Sequence, residues 1–159
     1  MELPAVLTSM ADGSITLAGF AAVFRAFGGA DDPDGYSRLR LTIVIEGGLV
    51  VAFLCFFPSW LASLDLPSNS VWQLSSAIGA IWPLFRFILV AFGVIRKGPP
   101  FPVLYLFAAP LGLVSFLAFA ATAVGCIPTS AYSGFLLGTV TLLATVGIVF
   151  IAQFRAERG

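Results

Sequence analysis

Three ionisable residues lie in surroundings that are otherwise almost wholly apolar. Asp12, Glu46 and Arg86 each fall inside a long hydrophobic stretch. A single charge at the centre of a bilayer costs at least about 2.5–3.5 kcal/mol even on the lenient insertion scale, so such residues call for an explanation in function or in pairing. Glu46 and Arg86 sit on consecutive segments expected to run antiparallel. Counted from the ends that carry basic residues, they lie roughly 8 Å and 14 Å deep at 1.5 Å per residue. A guanidinium spans such a stagger, so the geometry allows an ion pair. Two chemistries follow. The pair can fix helix register, or each charge can reach back to the interface where Arg38 and Arg40 wait. Alternatively Glu46, beside Gly47-Gly48 where backbones approach closely, lines a water-filled path and carries a cation or proton. Glu46, Arg86 and Asp12 are the ion-path candidates. Asp12 has a pattern of its own: Thr8, Asp12 and Thr16 recur every four residues and mark one polar helix face. That face points to the bundle interior, to another subunit or to water, unless Asp12 lies shallow enough to stay hydrated.

Several chemistries lack their residues. The sequence has no histidine, so the commonest haem ligand and proton shuttle are missing. The sole lysine, Lys97, ends an apolar stretch and offers no buried amine for a Schiff base. Cys55 and Cys126 fall at different depths and read as small apolar fillers rather than a disulfide. No GxSxG, phosphate-binding loop or dinucleotide turn occurs, and Asp12 and Glu46 are expected in opposite halves of the bilayer. The expectation is no catalytic residue, no metal site and no cofactor.

Composition says what must position these groups. Of 159 residues, 59% are hydrophobic and only 10% charged, against about 25% charged in a soluble domain. Sixteen charges cannot coat a soluble fold of this size, whereas lipid solvates an apolar exterior. The reading is all-α: one polytopic transmembrane bundle of five helices, with spans at 3–27, 41–64, 71–95, 103–124 and 132–154. The first is interrupted by Asp12-Gly13-Ser14, and a re-entrant or surface-lying segment is its alternative. Met1–Gly13 lacks the basic start of a secretory signal and is read as part of the mature chain. Breaks fall at Gly28–Gly35, Asp65–Ser70, Lys97–Pro100 and Ile127–Ser130, each rich in turn residues or proline. Ser68 or Ser70 is the expected cap of the third helix.

Basic residues set the orientation. Arg25, Arg38 and Arg40 flank the first loop, Arg96 and Lys97 the third, and Arg155 and Arg158 follow the last span. With five spans all three groups fall on one side, which the positive-inside rule makes cytoplasmic. The N-terminus is then outside and the C-terminus inside. A net charge of zero gives no reason to expect nucleic acid as a partner; the expected partners are membrane lipids and either further copies of the chain or a larger membrane complex.

Helices in lipid associate by close packing and interhelical hydrogen bonds. The last span carries a stripe of small residues, Gly134, Gly138, Thr141 and Thr145, containing a GxxxG match. It serves either packing within the chain or a seam between copies. Smaller pairs occur at Ser75/Gly79, Ser76/Ala80 and Ala108/Gly112. Pro83 and Pro110 lie inside spans and free carbonyls one turn earlier. Trp60 and Trp72 fall near the outer ends of their helices, where an interfacial belt places them, with Trp82 deeper.

The stretch Leu17–Phe24, then Arg38-Leu39-Arg40, Glu46, Phe57-Pro58 and Trp72-Gln73-Leu74-Ser75, resembles a pattern in small uncharacterised bacterial inner-membrane proteins. The resemblance covers the first three spans and implies a location in the bacterial envelope. Size and span count are similar to those of the tryptophan-rich sensory/translocator proteins, but with three tryptophans this chain lacks their character, and porphyrin binding is not carried over. Two functions remain: a small homo-oligomeric ion or proton channel or transporter, and a non-catalytic accessory subunit of a larger membrane complex. The inner, or plasma, membrane is the expected home of either.

Overall fold

A computed structural model describes residues 4–27, 37–97, 105–126 and 130–156. Among them every regular element is an α-helix: α1 (Ala5–Phe27), α2 (Ser37–Ala62), α3 (Ser68–Lys97), α4 (Tyr105–Ala123) and α5 (Ala131–Ala156). Three stretches, Ala5–Ala26, Arg40–Ala62 and Ala131–Ala152, are long and apolar enough to cross a membrane, and Phe107–Ala123 of α4 is apolar but shorter. The molecule is thus an all-helical bundle with the makings of a small integral membrane protein. α3 is the longest at 30 residues, but Gln73, Ser75, Ser76 and Arg86 dilute its apolar character.

α2 at its start, and α3 and α5 at both ends, run past the apolar stretches that announce them, whereas α1 and α4 stay within theirs. α2 begins at Ser37 and α3 continues to Lys97, because backbone hydrogen bonding continues into polar flanks that hydropathy leaves out. Expected breaks at Gly28–Gly35, Gly98–Pro100 and Ile127–Thr129 lie outside the described residues. The α2–α3 connection is described and short. Asp65 takes a left-handed φ of 55° there, a conformation that asparagine and aspartate tolerate better than other side chains. α3 opens at Ser68, with the Val71 N–H donating to the Pro67 carbonyl at 3.1 Å. α4 ends in a Schellman motif: Gly125, at φ 73°, donates to the Thr122 carbonyl, and Cys126 donates to that of Ala121. At the start of α5 the Ser133 N–H donates to Ser130 Oγ, so Ser130 caps the helix.

α5 is central and touches each of the other four helices. α1 packs chiefly on α2 and only lightly on α5; among the described residues it does not meet α3 or α4. Glycines set these distances. A Cβ on Gly48 would stand 2.7 Å from the Ser14 carbonyl oxygen, and one on Gly47 would stand 2.6 Å from Val146 and 3.1 Å from Trp82. The Gly47-Gly48 step therefore lets α2 approach α1 on one side and α3 and α5 on the other. Phe119 of α4 is fully buried, its ring held between Gly79 of α3 and Gly138 of α5. Three prolines sit inside helices: Pro58, Pro83 and Pro110.

Most buried hydroxyls turn inward on their own helices, while that of Ser76 finds no partner among the described residues. Ser75, Thr122, Thr139 and Thr145 each donate to the carbonyl four residues back, and Ser14 to the one three back. This satisfies a donor that lipid would leave unpaired. Ser115 differs: it donates across the α4–α5 interface to the Gly138 carbonyl at 2.8 Å.

Candidate functional site

A polar unit between α2 and α3 is assembled by Gly47. Because residue 47 has no side chain, the Trp82 ring settles against α2, and one turn further along α3 comes Arg86. The Arg86 guanidinium carbon lies 5.6 Å from the Trp82 ring centroid, a cation–π arrangement. Its Nη2 donates to Glu46 Oε2. Glycine, indole, guanidinium and carboxylate thus form one unit across α2 and α3. Its two ends differ in environment: the Arg86 side chain is 14% exposed, that of Glu46 48%.

Beside this unit lies a half-open cleft of about 80 Å³ walled by α3, α4 and α5, with Ile43 of α2 at its edge. Trp82, Pro83 and Arg86 form one side, Ala108 and Gly112 another, and Leu142 and Thr145 the floor. Nearly all of the lining is apolar. Thr145 is buried, and its hydroxyl donates to the Thr141 carbonyl rather than into the cleft. A wall of this kind suits methylene groups better than ions.

Asp12 stands apart. It lies on the exposed side of α1, as do Thr8 and Thr16, and Thr16 Oγ1 donates to the Asp12 carbonyl. Since α1 does not contact α3, Asp12 does not join Glu46 and Arg86. The α5 stripe behaves in the opposite way: Gly134, Gly138 and Thr145 are buried and Thr141 is half-buried. Gly138 faces Phe119, and its carbonyl accepts from Ser115 and also from Thr141 at 3.1 Å.

Trp72 departs from expectation. It is buried, meets Tyr132 edge-on at 4.9 Å and lies 5.4 Å from Phe135. Its position near a helix end suggested the interface, but its ring faces α5 and packs there. Trp60 remains exposed, beside Phe57 and continuous with Phe53 along α2. At the end of the bundle where α1 finishes and α2 begins, Arg25 donates to Thr42 at 3.1 Å and Arg40 is buried. Cys55 is buried and Cys126 exposed, both as free thiols. No group of three His, Cys, Asp or Glu residues comes together among the described residues.

The roles of Trp82 and Phe119 escaped sequence reading. The Trp82-to-Arg86 spacing of four was a usable signal, since it places both on one helix face. Phe119 is one of sixteen phenylalanines and carries no local mark. Comparison with known proteins returns no matching family model, no matching curated protein and no matching solved structure.

Proposed function

We propose that this chain is a non-catalytic, non-conducting membrane subunit: a rigid packing module that assembles with a larger membrane complex. The observation that carries this reading is the filled centre of the bundle. Phe119, Phe135, Leu142 and Val146 are wholly buried, and Phe119 fills the space between Gly79 of α3 and Gly138 of α5, leaving the small apolar cleft beside Arg86. Glu46 and Arg86 then act as a register device between α2 and α3, with Trp82 holding the guanidinium. The same reading takes the inner membrane of a bacterium as the location, with the N-terminus outside and the C-terminus inside. The orientation rests on the distribution of arginines and Lys97, and the bacterial location on the sequence resemblance alone.

One observation favours a second reading, a homo-oligomeric ion or proton path. Nearly half of the Glu46 side chain is exposed, so in a ring of copies these carboxylates would line the spaces between subunits.

A single experiment separates the two. Purified protein is reconstituted in vesicles, and proton, sodium and potassium flux is measured for the wild type, Glu46→Gln, Arg86→Gln and the double variant. The subunit reading expects no flux above empty vesicles. It also expects each single variant to lose stability and the double variant to recover much of it, since the penalty lies in stranding one charge. Flux that Glu46→Gln abolishes with the fold intact, and that the double variant does not restore, overturns it in favour of conduction.

A further inference from the structure

α1 presents a face that no other described residue covers. Thr8, Ser9, Asp12, Gly13, Thr16 and Gly19 are all exposed. Cβ atoms built on Gly13 and Gly19 would meet nothing within 4 Å. Only 28% of the α1 span is buried, against 61% for that of α2. No described hydrogen bond or ion pair involves the Asp12 carboxylate. Asp12 is the eighth residue of the helix, about 10 Å in from its start at 1.5 Å per residue. In a helix that spans the bilayer this carboxylate lies within hydrocarbon, facing outward.

Charge complementarity identifies what fits there. Arg25 is thirteen residues further along α1, about 20 Å along the axis, and is engaged with Thr42. Arg86 is paired with Glu46 on a helix that α1 does not touch. A second copy in the same orientation would bring Asp12 against Asp12, placing like charges together in a medium that screens poorly. A helix bearing a cation at that depth supplies what is missing. The hydroxyls of Thr8 and Thr16, one turn to either side, offer acceptor lone pairs to a guanidinium or ammonium. The small residues between them admit a close backbone.

We propose that the outer face of α1 docks a transmembrane helix of another membrane protein, one that carries an arginine or lysine paired with Asp12. This rests on the subunit reading above and names the chemistry of the partner. Asp12 supplies the charge, Thr8 and Thr16 the flanking hydrogen bonds, and Gly13 and Gly19 the room.

The test uses the full-length protein in vesicles, labelled with a fluorescent donor at the exposed Cys126. The probes are acceptor-labelled synthetic leucine–alanine helices that carry one Arg, one Leu or one Glu at the depth of Asp12. The Arg helix should associate about tenfold more tightly than the Leu helix, the scale of one polar contact between membrane helices, and the Glu helix no better than Leu. Asp12→Asn and Asp12→Leu should bring the Arg helix down to the Leu level, while Asp65→Asn leaves it unchanged. Equal binding of the Arg and Leu helices by the wild type, or Arg binding that survives Asp12→Leu, overturns the proposal. So does self-association that depends on Asp12 and that the Arg helix cannot displace, since the occupant is then a second copy. The flux assay keeps the two readings distinct: silent vesicles without Arg-helix binding sink the docking alone, and Glu46-dependent flux sinks the non-conducting reading whatever binds α1.

Discussion

Two helices of this bundle carry polar or small residues at nearly the same spacing and put them to opposite use. On α5, Gly134, Gly138, Thr141 and Thr145 turn inward. Gly138 accepts the Phe119 ring, and its carbonyl accepts the Ser115 hydroxyl. On α1, Thr8, Asp12 and Thr16 turn outward with Gly13 beside them, and no other part of the described chain covers them. Spacing defines a helix face, but neighbours decide which way it points. α5 touches all four other helices yet still exposes Leu137, Val140, Ala144 and Ile151, and its small-residue stripe lies on the covered side. α1 leans on α2 with one side, and its remaining circumference is left to lipid or to another protein.

The sharpest way to break this contrast is to make the same substitution on both helices. Gly138→Leu should be the most disruptive, because its Cβ alone would stand 2.7 Å from the Phe119 ring. We expect a loss of about 3 kcal/mol, the upper end of the overpacking range, measured by denaturant titration in mild detergent. Adding Phe119→Ala should return part of that loss by vacating the ring's space. If the double variant is no more stable than Gly138→Leu alone, the ring is not the obstacle.

Gly48→Leu comes next. The obstacle there is backbone, the Ser14 carbonyl at 2.7 Å with Ala18 Cβ at 3.0 Å, and backbone cannot rotate aside. α1 is held almost wholly by α2, however, so it can tilt away as a unit. We expect a loss of about 1–2 kcal/mol, with cross-linking between α1 and α2 falling while α4–α5 cross-linking persists. Loss of both together would show that α1 is integral to the core.

The smallest effect should come from the outward face. Gly13→Leu and Gly19→Leu should each change the stability of the isolated chain by no more than about 1 kcal/mol, the scale of the helix-propensity difference, and without loss, since nothing stands in the way of the new side chain. A large loss at either of them would mean that α1 is covered within the chain after all.

The sequence disclosed the number of helices readily, because five long apolar runs separated by proline, glycine and aspartate leave little choice. It also allowed an ion pair between Glu46 and Arg86, which lie on adjoining helices at nearby depths, but left open whether each reached back to the interface instead. The contact itself is visible only in the structure. It did not disclose direction. Nothing in the residues of α5 says that Gly138 faces Phe119, and nothing in α1 says that Asp12 faces away from Glu46; both depend on which helices become neighbours. Trp72 shows the same limit from the other side. Its depth suggested a lipid headgroup, but the rings of Tyr132 and Phe135 on α5 surround it instead. Trp82 was harder still, since its role depends on the missing side chain of Gly47.

Because α5 meets every other helix, the order of synthesis matters. It is the last of the five to leave the ribosome. Until it enters the membrane, the α1–α2 pair and the α3–α4 pair are joined only through the α2–α3 contact, Phe119 is without Gly138 and Phe135, and Ser115 lacks its carbonyl across the interface. A nascent chain halted at that stage is a hinged pair of hairpins with an open aromatic seam, the kind of surface on which membrane chaperones and proteases act. Arrival of α5 supplies the missing partners together: Gly138 and Phe135 for the Phe119 ring, and the Gly138 carbonyl for Ser115.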